Sequence, residues 1–248
     1  MSQPASARLP ARIDAIDVAR AVALGMMAVY HFGFDLLILG FWSIDVTSQP
    51  GWVALARATA ASFLFLAGVG IVLATREGVR WGAFLRRLGM VGGAAALISA
   101  ITWFAIPDAW IFHGILHMIA LGSVLALGLR LLPWYALVTL AVFAMAAPSF
   151  AWPRVFDHPG LWFLGLARVD IFSNDFVPVF PWMAPMLLGL AAGKVLGALP
   201  AAPGWTLWRA EGRVPRAAAF LGRHSLAVYL VHQPIFFAVL LPLRWWLG

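Results

Sequence analysis

The chain has 248 residues, of which 63% are hydrophobic and 11% charged, with no cysteine and a formal net charge of +7. Soluble domains carry about 25% charged residues, so this composition, with a mean hydropathy of +0.90, excludes a water-soluble globular protein. The absence of cysteine excludes a disulfide framework and a thiolate metal site, and in a membrane chain the surplus of positive charge speaks first of orientation rather than of nucleic acid.

Apolar runs at 21–41, 52–74, 88–106 and 111–129 each hold roughly 20 residues, enough for one crossing. The run at 131–150 is interrupted by Pro133 and Pro148 and spans only with the help of its flanks. Two more runs follow at 180–199, where Lys194 can snorkel near one end, and at 226–247. The expectation is an all-α polytopic membrane helix bundle of about seven transmembrane helices, forming a single integral-membrane domain over 1–248. Residues 1–20 are polar and the first apolar run lacks a small-residue cleavage site, which argues against a signal peptide.

With the N-terminus cytoplasmic, thirteen of the 17 lysines and arginines fall inside, from Arg8, Arg12 and Arg20 through Arg76, Arg80, Arg86 and Arg87 to the basic 200–223 loop. Arg154, Arg168 and Arg244 fall outside and Arg57 lies within the second helix, an asymmetry that follows the positive-inside rule. Most tryptophans, among them Trp42, Trp52, Trp81, Trp110 and Trp182, sit at or near the ends of these runs, as an aromatic belt does.

Ionisable groups at mid-membrane cost about 2.5–3.5 kcal/mol or more, so those present need a reason. His31 and Asp35 lie four residues apart on one face of the first helix, where a carboxylate can orient an imidazole for general-base work. A hydrogen-bonded pair that only positions helices is the plainer alternative. His113 and His117 open the fourth helix, the first reading as structural and the second as deeper and able to face His31. The last helix carries His232 and Gln233, followed by Pro234, which frees a backbone carbonyl. Arg57 needs an acidic partner, with Asp35, Asp45 or Asp175 as candidates. The outside connection 148–179 is long for an idle loop, and its Asn174 and Asp175 precede an FPW run that opens the sixth helix. By depth, His31, Asp35, His117, His232 and Asp175 are expected to converge in the outer half.

Four segments in order carry a family likeness: residues 12–31, the Gly-Ile-Leu-His of 114–117, the Asp-Phe-Val-Pro-Val-Phe-Pro-Trp of 175–182, and the Gly-Arg-His-Ser-Leu…Tyr-Leu-Val-His-Gln of 222–233. Together they resemble the bacterial branch of the heparan-alpha-glucosaminide N-acetyltransferase catalytic-domain family, within the membrane acyltransferase superfamily. The resemblance implies a transmembrane acetyltransferase of the bacterial inner membrane that moves an acetyl group from cytosolic acetyl-CoA to a sugar or glycan acceptor on the far side. It implies His31 and Asp35 as catalytic residues, and Arg57, His117, Asn174, Asp175, His232 and Gln233 as substrate contacts. Arg20, Arg86 and Arg87 are then available to the phosphates of acetyl-CoA. By the same resemblance His117 stands where the family's lysosomal member has glutamine. The expected partners are the lipid bilayer, an acyl-CoA and a glycan or amino-sugar acceptor, with no nucleic acid, no metal and no haem. Two other classes compete with this reading. A non-enzymatic transporter or scaffold lacks the inverted repeat of many carriers. A haem-binding electron-transfer protein would need histidines matched in depth on facing helices.

Overall fold

The computed structural model describes residues 9, 10 and 12–247, so Arg8 lies outside the described residues. The protein is an all-helical membrane bundle, with no strand among the described residues. Among the described residues nine α-helices follow one another: α1 (Asp14–Ile38), α2 (Pro50–Thr75), α3 (Trp81–Ala105), α4 (Ile115–Leu129), α5 (Trp134–Ala146), α6 (Val179–Ala198), α7 (Gly204–Leu207), α8 (Arg213–Arg223) and α9 (Ser225–Leu247). Five of them, α1, α2, α3, α6 and α9, are long and apolar enough to cross a membrane. Helices α4 and α5 are apolar but shorter, at 15 and 13 residues, or roughly 20 Å of rise each.

Several helices begin outside the apolar runs. Helix α1 starts at Asp14 because its first turn carries Asp14 and Asp17, which favour the positive end of the helix dipole. The α3 helix starts at Trp81 and thus takes Arg86 and Arg87 onto the helix itself. Conversely, α4 begins at Ile115 rather than near residue 111, because residues 109–113 are tied to 173–177: the Ala109 and His113 carbonyls accept from the Asn174 and Val177 N–H groups, and the Trp110 carbonyl from the Ser173 hydroxyl. Ahead of α2, Asp45 accepts hydrogen bonds from the hydroxyls of Ser48 and Thr47 and from the Thr47 backbone, which hold its carboxyl down to about 2.

The chain divides into two compact units, one made of residues up to Phe63 together with those from Leu199 onward, the other of Leu64–Ala198. In the first, α1 is the hub against which α7, α8 and α9 pack. The buried carboxylate of Asp17 binds Arg12 at 2.8 Å and Arg20 at 3.0 Å. Nearby, Asp14 accepts from the Ala210 backbone and Arg209 donates to the Arg12 carbonyl. Gly222 of α8 sits against the Asp17 carbonyl so closely that any Cβ would overlap it.

In the second unit, α6 packs against α4 and α5, and α3 packs against α4. The C-terminal half of α2 crosses α6 at glycines. A Cβ on Gly68 would strike the Met186 carbonyl, and one on Gly189 the Phe65 carbonyl. Apolar helices gain little from the hydrophobic effect within lipid, so close backbone approach through small residues holds such crossings together. Gly68→Ala or Gly189→Ala is expected to cost about 1–3 kcal/mol by overpacking, read as a lower melting temperature in detergent. Gly93→Ala, whose Cβ meets nothing within 4 Å, is expected to leave the melting temperature unchanged or to raise it.

Candidate active site

Within the first unit, α1 and α9 meet along a polar seam. The His31 and His232 rings lie 4.9 Å apart with their planes inclined by 59°. One turn along α1, Asp35 is fully buried at 0% exposure, and its Oδ1 accepts from Gln233 Nε2 at 3.2 Å. Phe32 and Phe236 close the seam beside the histidines at 5.5 Å. The four-residue spacing of His31 and Asp35 puts both on the face that α9 covers. Consecutive residues of α9, His232 and Gln233, answer them.

The hydrogen bonds define which nitrogens are available. His232 Nδ1 faces the Tyr229 carbonyl, which can only accept, so the proton of the neutral ring sits on Nδ1 and Nε2 holds a lone pair. That Nε2 is buried without a partner among the described residues, as are Asp35 Oδ2, Gln233 Oε1 and Trp42 Nε1. Asp35 therefore does not orient His31: its hydrogen bond goes to Gln233, and His31 is held by ring contacts with Tyr30 and His232. Trp42 and Trp52 stack edge to face at 5.8 Å against Gly33, with Tyr30 beside Trp52. Arg57 is exposed on α2 and, among the described residues, forms no ion pair with the acids of its own unit. Of the cationic candidates, Arg20 is engaged by Asp17, while Arg86 and Arg87 are exposed on the first turns of α3.

A second polar cluster, in the other unit, surrounds the start of α4. Asp175 accepts from the Ile115 backbone N–H at 2.9 Å, satisfying one of the four free donors of the helix start. His117 turns back so that its Nδ1 accepts from the Gly114 N–H at 3.2 Å. Its Nε2 then carries the proton and donates to Ser99 Oγ at 3.1 Å, and Ser99 in turn donates to the Ile111 carbonyl. Both nitrogens of His117 are thus committed to the fold. His113 donates from Nδ1 to the Val177 carbonyl and accepts the Val177 N–H on its own carbonyl, each at 3.0 Å. Burial is the main cause that lowers the His113 pKa. Asn174 is exposed and uses its backbone N–H on the Ala109 carbonyl. In the loop ahead of it, Asp157 accepts from Arg168 N and His158 from Gly160 N.

Ser99 was not legible as a site residue: in the sequence it is one hydroxyl in an apolar helix, and only the Ile111 carbonyl and the His117 ring beside it give it a task. Among the described residues no group of three or more histidine or carboxylate side chains gathers as metal ligands.

Burial raises the Asp175 pKa, against the opposing hydrogen bond from Ile115. An acid whose folded pKa is raised contributes stability that is complete below its unfolded value of about 3.9. That contribution is lost as pH rises through the elevated folded value. Asp175→Asn keeps an acceptor for the Ile115 N–H and removes the charge. The difference in melting temperature between this variant and the wild type is therefore expected to grow in the variant's favour as pH rises from 4 to 7 (roughly the carboxylate range). Asp175→Ala, which strands the N–H, is expected to cost about 1–2 kcal/mol at pH 4 and less at pH 7, because it too lacks the titrating carboxyl.

Comparison with known proteins identifies the family. Residues 12–234, nearly the whole chain, match the family model described as heparan-alpha-glucosaminide N-acetyltransferase, catalytic. No curated protein matches the chain significantly, and neither does any solved structure. The match takes in both polar clusters, the α1–α9 seam and the start of α4. The chain belongs to the heparan-alpha-glucosaminide N-acetyltransferase catalytic family, a family of membrane acetyltransferases.

Proposed function

We propose that the protein transfers an acetyl group from cytosolic acetyl-CoA to a hydroxyl or amine of a glycan acceptor on the opposite side of a bacterial inner membrane, with the α1–α9 seam as its catalytic centre. The observation that carries this reading is the pair of facing imidazoles, His31 and His232, beside a carboxyl and an amide with unpartnered polar atoms. Family membership supplies the reaction class. The basic residues concentrated on one side of the predicted topology support the sidedness.

In acetyl transfer the acceptor X–H must lose its proton as it attacks the thioester carbonyl, and the resulting oxyanion must be stabilised. In this proposal His232 is the base. Its tautomer is set by the Tyr229 carbonyl, so Nε2 takes the acceptor's proton, and the same carbonyl favours the imidazolium that forms. His31 donates its ring N–H to the oxyanion. Collapse of the tetrahedral adduct breaks the C–S bond, the CoA thiolate takes the proton from His232, and the acetylated acceptor leaves.

The sequence points to His31 as the base oriented by Asp35. The exchange of roles follows from Asp35 bonding Gln233 instead. Asp35 and Gln233 then hold the two helices in register and offer Oδ2 and Oε1 to the acceptor's remaining polar groups, with Trp42 and Trp52 as an apolar wall. Arg86 and Arg87 remain the proposed phosphate contacts, since Arg20 neutralises Asp17. Arg57 and Asn174, both exposed, remain proposed substrate contacts. Those roles are weaker for His117 and Asp175, whose polar atoms hold the start of α4.

In proteoliposomes supplied with labelled acetyl-CoA and an amino-sugar acceptor, His232→Ala and His31→Ala are each expected to lower the transfer rate about 10²- to 10⁴-fold with folded protein retained. His224→Ala, at an exposed ring between α8 and α9, is expected to leave it unchanged. Full activity in both seam variants would remove the α1–α9 seam from the chemistry.

A further inference from the structure

Helix α8 starts where Gly212, at a φ of 84°, ends the preceding turn. Its 11 residues present three faces. Ala219 and Gly222 are buried on the side that packs on α1. Arg216 and Arg223, two turns apart, share a second line along the helix, and Val214, Ala217 and Leu221 share a third. Arg213 and Phe220 lie between those two lines. All of these outward residues are exposed, Val214 at 80%. The outer surface is thus part cationic and part apolar, the composition of a helix that lies at a membrane surface.

Its place in the fold agrees with that composition. Gly222 rests against the Asp17–Ala21 turn of α1, where that helix passes from Arg12, Asp14, Asp17 and Arg20 to its apolar run. Helix α9 begins at Ser225, just past Arg223. Two long apolar helices therefore set the last turn of α8 at the level of the phospholipid headgroups. Trp205 and Trp208, exposed ahead of it, are of the residue type that favours that zone.

The charge is uncompensated. Glu211 is the one acid in residues 199–248, against five arginines. Asp17 is spent on Arg12 and Arg20, and Asp14 accepts from the Ala210 N–H. Among the described residues Arg213, Arg216 and Arg223 form no ion pair. A soluble anion would satisfy the guanidinium groups and leave Val214, Phe220 and Leu221 in water. An apolar protein surface would bury the arginines unpaired. A phospholipid of net negative charge satisfies both parts: its phosphate accepts paired N–H donors from arginine, and its chains cover the apolar residues.

We propose that the outer face of α8 binds an anionic phospholipid of the leaflet from which α1 and α9 enter the membrane, its phosphate held by Arg216 and Arg223 and its acyl chains lying over Phe220 and Leu221. This site is independent of the transfer chemistry proposed for the α1–α9 seam.

Because the chain has no cysteine, a single Leu221→Cys or Ala217→Cys carries a bimane fluorophore at a defined point of this face. The full chain is placed in nanodiscs of mixed phosphatidylglycerol and phosphatidylcholine, with bromine on the acyl chains of one lipid or the other. Brominated phosphatidylglycerol is expected to quench bimane more strongly at both positions, with a local enrichment of roughly fivefold or more, the effect of one arginine near a charged surface. Combining Arg216→Gln with Arg223→Gln is expected to remove the enrichment. Bimane at Val239→Cys, on an exposed face of α9, is expected to be quenched equally by the two lipids, and its unchanged quenching in the double variant reports that the chain is still inserted.

Equal quenching by the two lipids at Leu221→Cys and Ala217→Cys would overturn the proposal. So would an enrichment that survives the double variant, or one abolished by millimolar inorganic phosphate at constant ionic strength, which would assign the arginines to a soluble anion. Absence of quenching by either lipid would overturn it as well, and disulfide-linked dimers of Leu221→Cys would then assign the face to a second copy of the chain.

Discussion

A carboxyl sealed between two apolar helices governs the α1–α9 pair. Inside a bilayer no water completes the hydrogen bonding of a polar side chain, and every such group must find its partner within the protein. Asp35 finds Gln233, and that contact fixes which face of α9 meets α1. Once it is made, the residue before Gln233 must stand beside the residue one turn before Asp35, and the His31 and His232 rings meet. Rotating either helix would strand a carboxyl or an amide in hydrocarbon, a penalty of about 1–3 kcal/mol for each neutral group and more for a charged one. The meeting of the two rings is thus a by-product of a polar pair whose own oxygens remain partly unspent.

The six histidines divide by what their nitrogens are free to do. His117, His158 and His224 bond backbone groups within four residues of themselves and finish local structure. His232 fixes one nitrogen on the Tyr229 carbonyl and holds the other without a partner among the described residues, whereas His113 fixes its Nδ1 on the Val177 carbonyl. His31 is placed by ring packing alone. A fixed tautomer with a free lone pair is what acid–base chemistry requires, and His232 provides it beside a second imidazole.

How much of this was legible in the sequence varies with the range of the interaction. Composition and run length are local quantities, and they carried the helical bundle and the positions of its long spans. The four-residue spacing of His31 and Asp35 correctly puts them on one face, because helical periodicity is also local. It does not say what covers that face. A glutamine 198 residues away competes for the carboxyl and wins, so the expected orientation of His31 by Asp35 fails for a tertiary reason. The late start of α4 has the same origin: the carbonyls of Ala109 and His113 are taken by the backbone of Asn174 and Val177, and only at Gly114 does the chain become free to coil. The early starts of α1 and α3 were hidden for another reason. Hydropathy marks where a helix turns apolar, whereas the helix itself begins at its first favourable turn, with Asp14 and Asp17 in one case and at Trp81 in the other.

The wiring of His117 has a consequence for how that position can vary. One end of the ring receives a proton from a backbone amide and the other gives one to a hydroxyl. A carboxamide performs the same pair of tasks, its oxygen receiving and its nitrogen giving. The imidazole is therefore employed as a stiff spacer with one receiving and one giving end, and glutamine, which the resemblance implies at this position in the family's lysosomal member, is its chemical equivalent. Two side chains usually set far apart, one prized for acid–base work and one inert to it, become interchangeable here, because the start of α4 requires polarity at two points and asks nothing of basicity.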